Sequence, residues 1–132
     1  MSEGATKILV VEDNALNLEL ATELLSAHGH TVVGARTAEE GLRLARTERP
    51  DLILLDVRLP GMDGLAAVRA LKRDPETQAI LTVAMTAQAM AGDEEAALAA
   101  GFDAYVTKPI DTRTFPGLVA RLLSAGAGEG GS

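Results

Sequence analysis

The 132-residue chain contains no cysteine and no tryptophan, and its aromatic side chains are Phe102, Tyr105 and Phe115. Without cysteine there is neither a disulfide framework nor a thiolate metal site. Three rings leave little to stack on a flat cofactor or on bases. Positive charge is also short: 12 Lys and Arg stand against 19 Asp and Glu, a net charge of −7. Such a surface repels phosphate backbones and argues against direct nucleic-acid binding. No apolar run approaches membrane-spanning length, and the first, Lys7-Ile8-Leu9-Val10-Val11, is too short even for a signal peptide. No membrane contact is expected, and the cytoplasm is the expected compartment.

What is present is the balance of a folded soluble domain, 47% hydrophobic and 23% charged. Short runs rich in Val, Ile and Leu recur at Ile8–Val11, Thr31–Ala35, Leu52–Val57, Leu81–Met85 and Ala104–Thr107. They lack polar alternation, as parallel strands covered on both faces do. Between them lie helical patterns. Asn14–His28 carries Leu16, Leu18, Leu20, Ala21, Leu24 and Leu25 as one broad apolar stripe, and Gly29 supplies a left-handed stop. Thr37-Ala38-Glu39-Glu40 reads as a capping box opening a helix that buries Ala38, Leu42 and Ala45. A third helix follows Gly61-Met62-Asp63-Gly64 with Leu65, Val68 and Leu71 inward; a fourth spans about Gln88–Ala100 with Gly92 inside it. The fifth runs from about Thr114 to Ser124, with Pro116 in its first turn.

Five strand–helix units predict an α/β fold, a doubly wound five-stranded parallel sheet in the order 2-1-3-4-5 with five helices. The expected organisation is a flexible leader at 1–6, one domain at 7–124 and a flexible glycine-rich tail at 125–132.

In that order the tips of strands 1 and 3 converge. Strand 1 ends at Glu12-Asp13 and strand 3 at Asp56, so three carboxylates crowd one pocket. Two charges about 5 Å apart repel by roughly 3 kcal/mol at an effective dielectric near 20. A shared cation resolves this, and hard oxygen ligands select Mg²⁺, with Mn²⁺ or Ca²⁺ as substitutes. Strand 4 ends in a hydroxyl, Thr86, and strand 5 in an ammonium, Lys108. A phosphoryl group arriving at Asp56 would meet a metal, a lysine and a hydroxyl, the clamp that phosphoryl transfer needs.

The blocks "ILVVEDN", "LILLDVRLPGMDG", "VAMTA" and "AYVTKPID" resemble, in order and spacing, those of two-component response-regulator receiver domains. The likeness covers Lys7 to Ser124. It implies the flavodoxin-like receiver fold, with Asp56 as the phosphoacceptor for a phosphohistidine on a histidine kinase or histidine phosphotransferase. It implies Mg²⁺ on Asp13, Asp56 and the backbone carbonyl of Arg58, with Glu12 acting through water. Lys108 would pair with the phosphoryl group or Asp56, and the Lys108–Pro109 bond would be cis. Thr86 would swing to the phosphoryl oxygen and Tyr105 would change rotamer behind it, carrying the signal through helix 4, strand 5 and helix 5 to a protein partner. Arg58 and Gln88, two residues beyond Asp56 and Thr86, border the water route and are expected to tune the lifetime of the acyl phosphate. The chain most resembles single-domain regulators of phosphorelays and of bacterial cell-cycle or polarity control. It also resembles receivers excised from hybrid histidine kinases, so a module detached from such a kinase or from a longer output protein is the alternative, although Met1 and a short leader favour a free-standing protein.

Blander readings stand beside these. Glu12 and Asp13 would suit a helix N-terminus, Asp56 a turn, Lys108 a solvated surface, Thr86 a cap, and Tyr105 an edge strand. Asn17 either lines the pocket rim or makes a local cap. His28 and His30 flank a helix-ending glycine, are expected to face solvent, and are assigned no chemistry. Among other functions, a flavodoxin-type carrier would need a Ser/Thr/Gly phosphate loop after strand 1, where this chain has "EDNALN". A phosphatase with an aspartate nucleophile would place D-x-D there. A receiver fold with a dead site, serving purely for binding, would not retain every expected site residue.

Overall fold

Ile8, Leu9, Val10 and Val11 are all buried, because the strand they form is covered on both faces. In the computed structural model the strands are β1 (Thr6–Val11), β2 (His30–Ala35), β3 (Leu52–Asp56), β4 (Leu81–Thr86) and β5 (Ala104–Thr107). The helices are α1 (Ala15–Ala27), α2 (Ala38–Glu48), α3 (Gly64–Arg73), α4 (Asp93–Ala100) and α5 (Phe115–Gly131). The structure describes residues 6–57, 64–86, 93–107 and 112–131. The strands pair in parallel in the order β2-β1-β3-β4-β5, as expected.

Alternation along the strands divides the core. Leu9, Val11, Ile53, Leu55 and Ala84 pack with Ala38, Ala45, Val68, Leu71 and Ala97, so α2, α3 and α4 cover one face. Ile8, Val10, Leu52, Leu54, Val83 and Met85 pack with Ala21, Leu25, Phe115 and Val119, so α1 and α5 cover the other. Full burial of each Val, Leu, Ile, Met or Phe side chain among them contributes about 1.5–3 kcal/mol.

Local chemistry sets the helix ends. Asn14 caps α1, its side chain accepting from the Asn17 N–H at 3.0 Å, and Gly29 follows the helix at φ 90°. That φ costs a side chain bearing Cβ and costs glycine nothing. Thr37 caps α2 by accepting from the Glu40 N–H at 3.1 Å. The capping box is only half formed, because the Glu40 carboxylate reaches past Thr37 to the Arg36 N–H, also at 3.1 Å.

Three helix expectations need correction. The leucines of α1 are not one stripe: Ala21 and Leu25 are buried, while Leu16 and Leu20 are 63% and 56% exposed. At about 100° per residue those two lie on the side opposite Leu18 and Leu25. In α2, Leu42 is only partly buried and Gly41 takes the inner position. Helix α5 continues to Gly131, past Ser124 where its apolar pattern stops; each glycine lowers helix propensity by about 1 kcal/mol without forbidding the conformation. Gly92 and the expected start of helix 4 at Gln88 lie outside the described residues.

Candidate functional site

The carboxyl edge of the sheet gathers the polar residues. Glu12 directly follows β1, Asp56 closes β3 and Thr86 closes β4; they are 1%, 4% and 3% exposed. Asp13 reaches solvent. One carboxylate oxygen from each of Glu12, Asp13 and Asp56 lies within 4.8 Å of the other two. The two segments that the sequence placed side by side do meet.

Backbone bonds fix this convergence. The Glu12 N–H donates to the Ala35 carbonyl at 2.9 Å, extending the β1–β2 ladder by one step. The Glu12 carboxylate then turns back to accept from the Asn14 N–H at 3.1 Å, which keeps one oxygen of a buried acid satisfied. Beyond β3, the Val57 N–H donates to the Met85 carbonyl at 2.9 Å. Gly64 sits directly against this strand end: a Cβ there would lie 2.6 Å from Val57 Cα and 2.7 Å from the Asp56 carbonyl oxygen. The glycine lets the first residue of α3 touch the backbone that carries Asp56.

The donor set fits a hard divalent cation. Two ligands of one Mg²⁺, each at about 2.1 Å, stand at most about 4.2 Å apart. Oxygens that lie within 4.8 Å of one another come close to that limit, and any pair beyond it closes by a small contraction or has one oxygen acting through water, as expected of Glu12. With all-oxygen ligands and no thiolate or imidazole among them, the chemistry is that of Mg²⁺ rather than Zn²⁺.

Tyr105 pairs with Ala84 in the β4–β5 register and packs, half-buried, against the α2–α3–α4 face. Thr86 lies two residues beyond Ala84, on the same side of the sheet. The two candidate switch residues thus share a face. Arg58, Gln88, Lys108 and Pro109 lie outside the described residues. Asn17 serves the cap, through its backbone N–H. His28 is exposed, but His30 is half-buried, and its Nδ1 has no hydrogen-bond partner among the described residues. Desolvation first, and the neighbouring His28 second, lower the pKa of His30.

Two site residues escaped sequence reasoning. Gly64 had a visible signal, the glycine of "GMDG" at the start of a helix, which the reading used only as a boundary. Arg36 had none: its Nε donates to the Asp13 carbonyl at 2.9 Å across 23 residues of chain. Elsewhere, a cleft of about 500 Å³ between α2 and α3, with Leu42, Arg46, Leu71 and Asp74 in its lining, involves none of the acidic-site residues. Arg46 and Asp74 pair there at 2.6 Å, and Asp74 is held below the usual carboxylate range by the Glu76 N–H and then by Arg46.

The family model of the response regulator receiver domain matches residues 8–120. The chain belongs to the receiver domain family. This receiver is 44% identical over 108 residues to the polar-differentiation response regulator DivK of Brucella anthropi, covering 82% of this chain and 88% of that one. Its fold is similar to the CheY-like receiver domain protein of Methanospirillum hungatei JF-1, with TM-score 0.88, 28% identity and coverage of 95% and 98% of the two chains. It is also similar to the receiver domain of sensor histidine kinase PA1611 from Pseudomonas aeruginosa PAO1, with TM-score 0.84, 32% identity and coverage of 91% and 98%. That receiver carries a magnesium ion coordinated in its active site cleft. The protein is therefore a receiver of two-component signalling. Among its described residues no helix is long and apolar enough to cross a membrane.

Proposed function

We propose that the receiver accepts a phosphoryl group on Asp56 from a phosphohistidine of a histidine kinase or histidine phosphotransferase in the cytoplasm. The single observation that carries this is the meeting of Glu12, Asp13 and Asp56 oxygens within 4.8 Å at the carboxyl edge of the sheet. A carboxylate oxygen of Asp56 attacks phosphorus in line, the phosphorus–nitrogen bond breaks, and the imidazole leaves with the electron pair. Mg²⁺ supplies charge neutralisation for the transferring group when bound; Mn²⁺ and Ca²⁺ share its oxygen chemistry. Asp13, Asp56 and the Arg58 carbonyl hold it, with Glu12 through water. Lys108 balances the remaining charge on the phosphoryl oxygens. The protein catalyses only its own phosphoryl transfer and autodephosphorylation, with Arg58 and Gln88 setting the lifetime.

The signal leaves through Thr86 and Tyr105. Thr86 bonds the new phosphoryl oxygen, Tyr105 follows on the same face, and α4 with β5 and α5 presents an altered surface to a protein partner. α4 suits such a shift, because among its described side chains the buried ones are the alanines Ala97 and Ala100, while Leu98 is 44% exposed. Little apolar area fastens it. The phosphodonor has its own candidate contact in Leu16 and Leu20, exposed on the helix that starts beside the acidic site.

A second reading is a receiver that works within a hybrid histidine kinase, favoured by the 32% identity to the PA1611 receiver. The test of the main proposal is incubation with Mg²⁺ and acetyl phosphate, followed by intact mass. One added phosphoryl group, lost in Asp56→Asn and on chelation, is the expected result; labelling that persists in Asp56→Asn refutes it.

A further inference from the structure

We propose that Arg36 is a positioning residue for the metal: its guanidinium holds the Asp13 carbonyl so that the Asp13 carboxylate stays turned toward the ion. This rests on the Mg²⁺ reading above and goes one layer outward from it.

The Glu12–Asp13 dipeptide is fastened at both ends by consecutive residues of one segment. At its start the Glu12 N–H donates to the Ala35 carbonyl, and at its end the Asp13 carbonyl accepts from Arg36 Nε, each at 2.9 Å. Between these two bonds the backbone of the acidic pair has little freedom, which narrows the directions open to the Asp13 side chain.

Arg36 is itself placed by the start of α2. Its own N–H donates to Glu40 Oε1 at 3.1 Å, and the Glu40 N–H is held by Thr37 Oγ1 at 3.1 Å. α2 is pressed onto β1 one residue later, where a Cβ on Gly41 would lie 2.8 Å from Val11 Cγ2. The helix cap, the Glu40 carboxylate, the Arg36 backbone N–H and, through its side chain, the Arg36 guanidinium on the Asp13 carbonyl make one path into the site. This gives Glu40 a use that its half-formed capping box leaves open.

Two consequences of Arg36 oppose each other. Its positive charge repels a cation, whereas its hydrogen bond orders a ligand of that cation. Arg36 is exposed, so solvent and salt screen the charge, and the directional bond to the carbonyl decides the outcome. Outer partners of metal ligands are commonly worth 10–100-fold in affinity. An exposed one acting through the backbone belongs at the low end.

The test is calorimetric Mg²⁺ titration of wild type, Arg36→Met, Glu40→Ala and the double variant, with melting temperatures taken in chelator. Arg36→Met is expected to weaken Mg²⁺ binding about tenfold, with Arg36→Lys restoring part of the loss. Glu40→Ala is expected to weaken it in the same direction, and the double variant to lose no more than Arg36→Met, since both act on one path. Glu40→Ala also covers the case in which Arg36→Met folds poorly. Unchanged or tighter binding in Arg36→Met overturns the tether, as does full additivity in the double variant. A wild-type protein that binds no Mg²⁺ overturns the metal reading and the tether together, which separates the two failures.

Discussion

Replacing Asp13 by asparagine removes one of three carboxylates whose oxygens lie within 4.8 Å of one another. At the outer limit of that separation and an effective dielectric near 20, each like-charge pair costs about 3.5 kcal/mol before screening. Asp13 takes part in two such pairs; its partners are buried, but Asp13 itself reaches solvent, which screens each pair toward the value of about 1 kcal/mol or less found between exposed charges. A relief of about 2 kcal/mol, near the screened end, is the reasonable expectation. Unfolding entropy of about 2.1 cal/mol/K per residue gives roughly 0.28 kcal/mol/K for this chain, so Asp13→Asn should melt about 7 °C higher than wild type without metal. Mg²⁺ at a hundred times its dissociation constant adds about 2.7 kcal/mol, roughly 10 °C, to wild type. Under the proposed coordination the variant has exchanged a charged ligand for a neutral one and gains little, so the order of the two proteins is expected to reverse on adding Mg²⁺. Differential scanning calorimetry in chelator and then in Mg²⁺ reads both effects. A metal-free melting temperature for Asp13→Asn equal to or below that of wild type would refute the crowding argument, whatever happened with Mg²⁺.

Gly64→Ala places a Cβ 2.6 Å from Val57 Cα, where no side chain can move aside; a loss of about 2–3 kcal/mol in urea unfolding is expected, with slower labelling of Asp56. A loss below about 0.5 kcal/mol would show that the strand end yields freely. Burial lowers the pKa of His30, so the unfolded chain binds the proton more readily than the folded one. The His30 contribution is therefore complete above about pH 6.5 and is lost as pH falls through the lower folded value. Chemical denaturation from pH 7.5 to 5 should show wild type losing more stability than His30→Gln, and parallel curves would contradict this. Leu16→Ser with Leu20→Ser should leave stability within about 0.5 kcal/mol and acetyl phosphate labelling unchanged, while slowing transfer from a phosphohistidine donor. Equal slowing with both donors would remove these leucines from docking.

The strands and the acidic tips were legible because their signals are local. Short apolar runs without alternation at Ile8–Val11 and Leu52–Leu55, too short for helices, fit strands buried on both faces, and five such runs separated by helices restrict the winding. Once the order places β1 beside β3, Glu12, Asp13 and Asp56 must share an edge. The α1 reading failed for a physical reason. Its leucines surround the helix rather than lining one side, and composition alone names no inward direction. The sheet supplied the direction, taking Ala21 and Leu25 and leaving Leu16 and Leu20 outside.

What the sequence determined by itself was the set of elements and the chemical character of the strand ends, since propensity, capping and hydrophobic period act within a few residues; the winding rules for alternating strands and helices then narrowed the strand order. Tertiary structure alone decided what depends on contact between distant segments. That includes the turn of Arg36 onto the Asp13 carbonyl, the seat of Gly64 against Val57, and the half-burial of His30 beside solvent-facing His28. Each is fixed by where two backbones happen to approach within a few ångströms, and no pattern along one chain records that distance.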